Sequence, residues 1–70
     1  MEHIDFTQLK NNLQAYRVKK GLSQQEAADI LQISLSTMKN WEKNPQKMTF
    51  EKLLVLANLY QVKVSDFFVA

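Results

Sequence analysis

Hydrophobic residues recur along the chain at the three- to four-residue spacing of amphipathic helices. In the first segment the apolar positions are Phe6, Leu9, Leu13 and Tyr16. Asp5, followed by Gln8 three residues later, fits the N-terminal cap of a helix. Gly21 supplies the left-handed residue with which a helix commonly ends. This segment therefore predicts a first helix over about residues 6–20.

Two short apolar segments follow, separated by three residues. Ser23 and Glu26 form a second capping-box pattern, which predicts a helix over about residues 24–31. Its apolar positions are Ala27, Ala28 and Leu31. Ser34 can cap a third helix over about residues 35–43.

The third helix has two different faces. With Met38 at the centre of the inner face, a rotation of 100° per residue places Trp41 and Glu42 on the same side, so Met38 and Trp41 are predicted core residues. The opposite side carries Ser36, Lys39, Asn40 and Lys43. Leu35 and Thr37 lie on the flanks of the helix.

The second half of the chain begins at a break. Pro45 disfavours a helical conformation at Asn44 and lacks an amide donor, so the third helix should end there. Thr49 can cap a fourth helix over about residues 50–60. The residues predicted to face the core are Phe50, Leu53, Leu56, Ala57 and Tyr60. Ser65 and Asp66 open a last turn or two around Phe67 and Phe68.

The fourth helix carries more apolar residues than one face needs. Leu54, Val55 and Leu59 point away from the predicted inner face. Together with Phe68 they could form an interface for a second copy or for a partner protein. The alternative is that a small fold buries some of them where the last turn packs.

Composition limits the fold and the function. A chain of 70 residues with one glycine and one proline has few turn residues, which favours an all-α fold in a single domain spanning residues 1–70. It contains no cysteine, one histidine and no run of about 20 apolar residues. We therefore expect no metal, no cofactor, no small-molecule substrate, no membrane span and no enzymatic activity.

Charge and helix spacing point to nucleic acid. The net charge is only +2, but residues 36–48 hold Lys39, Lys43 and Lys47 against Glu42 alone. Two short helices joined by a three-residue turn have the spacing of a helix-turn-helix, here about residues 23–43. The second helix of such a pair can enter a major groove about 12 Å wide, where asparagine can pair with adenine and lysine with guanine or phosphate.

Two stretches carry a resemblance to a known family. They are residues 22–28 (LSQQEAA) and residues 33–42 (ISLSTMKNWE). With their separation they resemble the Cro/lambda-repressor type of helix-turn-helix domain, the XRE family, and the likeness runs from about Leu9 to Phe68. The resemblance implies a compact bundle of five helices that binds double-stranded DNA, usually as a homodimer on a palindromic operator.

The resemblance also implies roles for individual residues. It implies base contacts from Leu35, Ser36, Lys39 and Asn40. It implies phosphate contacts from Ser23, Gln24, Thr37, Lys43 and Lys47. It further implies that Arg17 pairs with Glu42 and helps to orient the third helix. Leu35 replaces a polar residue common at that position and could either touch a thymine methyl group or pack inward.

The sequence departs from the family pattern at several turns. Gln32, Asn44 and Gln61 stand where the family often has glycine, and Met48 stands where it often has proline. If the left-handed geometry is kept, each glutamine costs about 1–2 kcal/mol, whereas asparagine tolerates it. We expect these departures to affect the turns more than the fold.

The sequence therefore predicts a sequence-specific, DNA-binding transcriptional regulator, a repressor or a Cro-like switch protein. The alternative is a protein-interaction module on the same fold, such as an antirepressor or an antitoxin-like partner. A bacterial or phage protein of either kind would act in the cytoplasm, and a DNA-bound one would be associated with the nucleoid.

Overall fold

The computed structural model describes residues 6–69, which contain four α-helices and no strand. The helices are Thr7–Lys19 (α1), Gln24–Leu31 (α2), Leu35–Lys43 (α3) and Phe50–Tyr60 (α4). Two 3₁₀ helices, Pro45–Lys47 and Val64–Phe68, follow α3 and α4. The predicted bounds of the second, third and fourth helices are confirmed, and the first is one residue shorter at each end. The predicted count of five helices is not confirmed, because the last element is a short 3₁₀ helix.

Side-chain caps fix where three of the helices begin. Ser23 Oγ accepts the backbone N–H of Glu26 at 3.0 Å, and Glu26 Oε1 accepts the backbone N–H of Ser23 at 2.9 Å. These bonds to Ser23 hold the pKa of Glu26 below its usual value. Ser34 caps α3 through the N–H of Thr37, and Thr49 caps α4. The predicted cap at Asp5 lies outside the described residues.

The helix ends differ in how far they follow the predicted turns. Gly21 has a φ of 82°, and Gln32 and Gln61 adopt the left-handed conformation with φ of 58° and 59°. Asn44 has a φ of −128° and a ψ of 61°, so it is not left-handed. Pro45 accounts for this difference, because a residue before proline is pushed towards extended backbone.

The core lies where α1 and α4 meet α2, α3 and the second 3₁₀ helix. The buried apolar residues are Leu9, Leu13, Ala27, Ala28, Met38, Leu53, Leu56, Ala57, Tyr60 and Phe67. Trp41 is half-buried and packs against them, with Lys52 Nζ 5.8 Å from the centre of its ring. Leu59, predicted to point away from the core, is also half-buried against it. The prediction of a core position for Phe50 is wrong, since its side chain is 63% exposed. It is the first residue of α4, and helical side chains tilt towards the N-terminus, beyond the core.

The C-terminal segment closes the core against α1. Asn12 Nδ2 donates to the carbonyl oxygens of Phe67 at 2.8 Å and Val69 at 2.7 Å. The ring of Phe67 meets those of Tyr16 and Tyr60 edge-on, with centroids 5.9 and 6.4 Å away. None of the helices in residues 6–69 combines the length and the apolar character needed to cross a membrane.

Candidate nucleic-acid interface

The turn between α2 and α3 sets the relation of the two helices. Gln32 adopts the left-handed conformation directly after α2, and its N–H donates to the carbonyl of Asp29 at 3.2 Å. The N–H of Ile33 donates to the carbonyl of Ala28 at 3.0 Å. Ser34 then caps α3. These bonds occupy the carbonyls of Ala28 and Asp29 in the last turn of α2 and the N–H of Thr37 in the first turn of α3, so a short turn is enough to join the two helices.

The outer face of α3 is polar and exposed. The exposed residues of this helix are Ser36, Lys39, Asn40 and Lys43, and Leu35 and Thr37 are half-buried at its flanks. Met38 and Glu42 are buried on the opposite side. The predicted division of α3 into two faces is therefore confirmed.

An ion pair holds the inner face of α3. Glu42 is 1% exposed, and its carboxylate accepts Arg17 Nε at 2.6 Å and Arg17 Nη2 at 3.3 Å. Arg17 also donates from Nη1 to the carbonyl of Leu22 at 2.8 Å, which leaves its guanidinium bonded in three directions. A paired, hydrogen-bonded arrangement of this kind is how a carboxylate is retained in an apolar interior.

Gln24 adds a third donor to the same carboxylate. Its Nε2 donates to Glu42 Oε1 at 2.9 Å, from the first position of α2. Glu42 thereby connects α1, α2 and α3 through side chains alone. The bond was not predicted from the sequence, which implied only a phosphate contact for Gln24, although the place of Gln24 in the first turn of the adjacent helix could have suggested it.

Several predicted contact residues have bonds within the domain. Ser34 Oγ donates to Thr37 Oγ1 at 2.9 Å, and Asn44 Nδ2 donates to Asn40 Oδ1 at 3.2 Å. The bond between the two asparagines was not predicted either, although their four-residue spacing could have suggested it. Ser36 and Lys39 have no side-chain hydrogen bond within residues 6–69.

Two further lysines lie at the C-terminal end of α3 and just beyond it. Lys43 lies in its last turn, and Lys47 ends the 3₁₀ helix that follows. Both side chains are exposed. Ser23, by contrast, has its hydroxyl in the cap of α2.

A helix-turn-helix family model matches residues 13–67, which is most of the chain. The chain belongs to the XRE family of helix-turn-helix domains. This is a family of DNA-binding transcription regulators, and its ligand is double-stranded DNA. Comparison with curated proteins and with solved structures gives no match.

In helix-turn-helix proteins the second helix of the pair is the one that enters the major groove, and in this XRE-family domain the second helix is α3. The exposed residues Ser36, Lys39 and Asn40 lie on the side of α3 that is turned away from the domain's own core. The predicted interface residues of α4 and the last segment, named the apolar patch below, differ in exposure. Leu54, Val55 and Phe68 are 41%, 43% and 57% exposed, whereas Leu59 is half-buried and packs against the core.

Proposed function

We propose that this XRE-family domain is a sequence-specific transcriptional regulator, a repressor or a Cro-like switch protein. The observation that carries the proposal is the contrast between the two faces of α3. Its inner face is held in the core by Met38 and Glu42, and its outer face exposes polar and basic side chains. The proposed base contacts are Leu35, Ser36, Lys39 and Asn40.

Phosphate contacts would set the position of α3 in the groove. Lys43 and Lys47 are exposed beyond the end of the helix and can reach phosphate without strict geometry. At the other side, Ser23 and Gln24 lie at the N-terminus of α2, where free backbone amides and the helix dipole favour a phosphate oxygen. Thr37, in the first turn of α3, completes the proposed set.

The apolar patch supports binding as a homodimer. Two copies joined through Leu54, Val55, Leu59 and Phe68 would place two α3 helices about 34 Å apart, one turn of duplex, on a palindromic operator. Such a protein acts where bacterial or phage DNA is, in the cytoplasm at the nucleoid.

Selection of bound duplexes from a randomised pool at near-physiological salt tests the proposal. We expect a two-fold symmetric motif with half-sites about 10 base pairs apart. Asn40→Ala should lose about 1–3 kcal/mol at one base position in each half-site. Lys43→Ala should weaken binding to every sequence and lower the salt slope by about 1. Asn11→Ala, an exposed amide on α1 away from both α3 and the apolar patch, is the control.

The results for the Asn40→Ala variant and for the wild-type domain test different parts of the proposal. An Asn40→Ala domain with the sequence preference of the wild type contradicts base contact by this residue. A wild-type domain that enriches no sequence contradicts the proposal as a whole.

The apolar patch also favours a second function. An antirepressor or antitoxin-like module would use these exposed side chains to bind another protein, and the two functions can coexist. Tight binding of a partner that Leu54→Glu abolishes, together with weak binding of DNA, would favour this alternative. Loss of half-site symmetry in the selected DNA on the same substitution would favour the homodimer.

A further inference from the structure

Asn44, the residue that follows α3, is held in one backbone conformation. Its N–H donates to the carbonyl of Asn40 at 2.8 Å, and its carbonyl accepts the N–H of Lys47 at 3.1 Å. Pro45 comes next and is buried. A half-buried residue bonded on both sides and followed by proline has little backbone freedom, so the starting point of its side chain is fixed.

From this position the side chain reaches back one helical turn. Asn44 Nδ2 donates to Asn40 Oδ1 at 3.2 Å. Of the four proposed base contacts, Asn40 is the one whose side chain is hydrogen-bonded to another residue in the described part of the chain. In the free domain Oδ1 of Asn40 already accepts this hydrogen bond, whereas its NH₂ group has no partner within the described residues.

The orientation of an asparagine amide decides what it offers a base. The group has a donor end, Nδ2, and an acceptor end, Oδ1, which a flip of the amide exchanges. With Oδ1 bonded to Asn44, both N–H groups of Asn40 remain free to donate, and one lone pair remains on Oδ1. This arrangement suits bases that present acceptors in the major groove, such as guanine, and it still permits the two-bond contact with adenine.

We propose that Asn44 is a positioning residue for base recognition, holding the amide of Asn40 with its donor end free. The inference rests on the proposed function, since it requires that Asn40 meets a base. At the position read by Asn40, the wild-type domain should prefer guanine to cytosine, because cytosine presents a donor there and guanine presents only acceptors.

Asn44→Asp provides the test, because a carboxylate can only accept a hydrogen bond. In this variant we expect the amide of Asn40 to turn its NH₂ group towards the new carboxylate at position 44, which leaves Oδ1 as the free end. Guanine and cytosine should exchange rank, with a change of about fivefold or more in their relative affinity. Gln46→Glu is the matched control, since it adds the same charge two residues away, at an exposed side chain with no side-chain hydrogen bond in residues 6–69. It should weaken binding generally without changing the rank.

The position read by Asn40 is first identified as the one whose preference is lost in Asn40→Ala, and affinities are then measured for duplexes that differ only there. If the wild-type domain selects a motif and Asn44→Asp keeps guanine above cytosine, this inference fails and the proposed function stands. If the wild-type domain selects no motif, the proposed function fails and this inference fails with it.

A measurement on the free protein tests the contact separately. Asn44→Ala should shift the side-chain carbonyl ¹³C resonance of Asn40, because Oδ1 loses its donor, and Gln46→Ala should leave it in place. An unchanged Asn40 resonance in Asn44→Ala, in a domain with the wild-type melting temperature, would overturn the inference whatever the DNA experiment gives.

Discussion

Replacing Glu42 by alanine should remove a large part of the stability of the domain. The carboxylate is buried and accepts three hydrogen bonds, two from Arg17 and one from Gln24. Its loss leaves a mostly buried guanidinium without its counter-charge, for which the cost is about 3–5 kcal/mol. A chain of 70 residues has a total stability of about 4–10 kcal/mol, from about 0.05–0.15 kcal/mol per residue. The substitution therefore removes about a third of that stability or more.

Urea unfolding followed by circular dichroism measures the effect, and thermal unfolding should show a midpoint at least about 12 °C lower. Glu51→Ala is the control, because Glu51 is an exposed glutamate in the first turn of α4 and should cost no more than about 1 kcal/mol. The double substitution Arg17→Met with Glu42→Leu should recover much of the loss, since two apolar side chains leave no buried charge unpaired.

A Glu42→Ala domain within about 1 kcal/mol of the wild type would refute this reasoning, because that is the value of a pair on the surface. Arg17→Met with Glu42→Leu gives an independent check. If it is no more stable than Glu42→Ala, the loss comes from packing and not from an unpaired charge.

Three further predictions concern the rest of the domain. Asn12→Ala removes two bonds to the carbonyls of Phe67 and Val69, and should cost about 1–3 kcal/mol in urea unfolding and expose the C-terminal amides to hydrogen exchange. The buried hydroxyl of Tyr60 has no hydrogen-bond partner in residues 6–69, so Tyr60→Phe should keep or raise the melting temperature, and a fall would contradict this. Because the pKa of Glu26 is lowered in the folded domain, its contact with Ser23 stabilises the fold at neutral pH. This stabilisation is lost as the pH falls below about 4.5 and through the folded-state pKa. The loss should be absent from unfolding curves of Glu26→Gln measured over the same pH range.

The sequence predicts the helix bounds well where a local bond decides them. Ser23, Ser34 and Thr49 each accept a backbone N–H three residues ahead, so the start of α2, α3 and α4 depends on a few neighbouring residues. The two faces of α3 follow in the same way from the helical period. Residues 35–43 could therefore be assigned to an inner and an outer face before any tertiary contact was known.

Tertiary contacts explain what the sequence did not predict. Phe50 is exposed because the core ends before it, and the helical period of α4 does not determine where the core ends. The last segment is bonded to Asn12, more than 50 residues earlier, and is a 3₁₀ helix where a fifth helix was expected. Asn44 was compared with a glycine of the family, but Pro45 determines its conformation.

The direction of α3 depends on residues that do not lie on its outer face. Glu42 holds the inner face through hydrogen bonds from Arg17 in α1 and Gln24 in α2. Asn44 donates a hydrogen bond to the side chain of Asn40, on the outer face. A hydrogen bond to a base edge tolerates a deviation of only a few tenths of an ångström from the usual donor–acceptor distance, whereas a phosphate contact tolerates more. A small rotation of α3 about its axis, allowed by a weaker Glu42 network, would therefore reduce base recognition before it reduced binding to the backbone. If the domain acts as proposed, its sequence preference depends on the residues beneath and behind α3 as much as on those exposed on it.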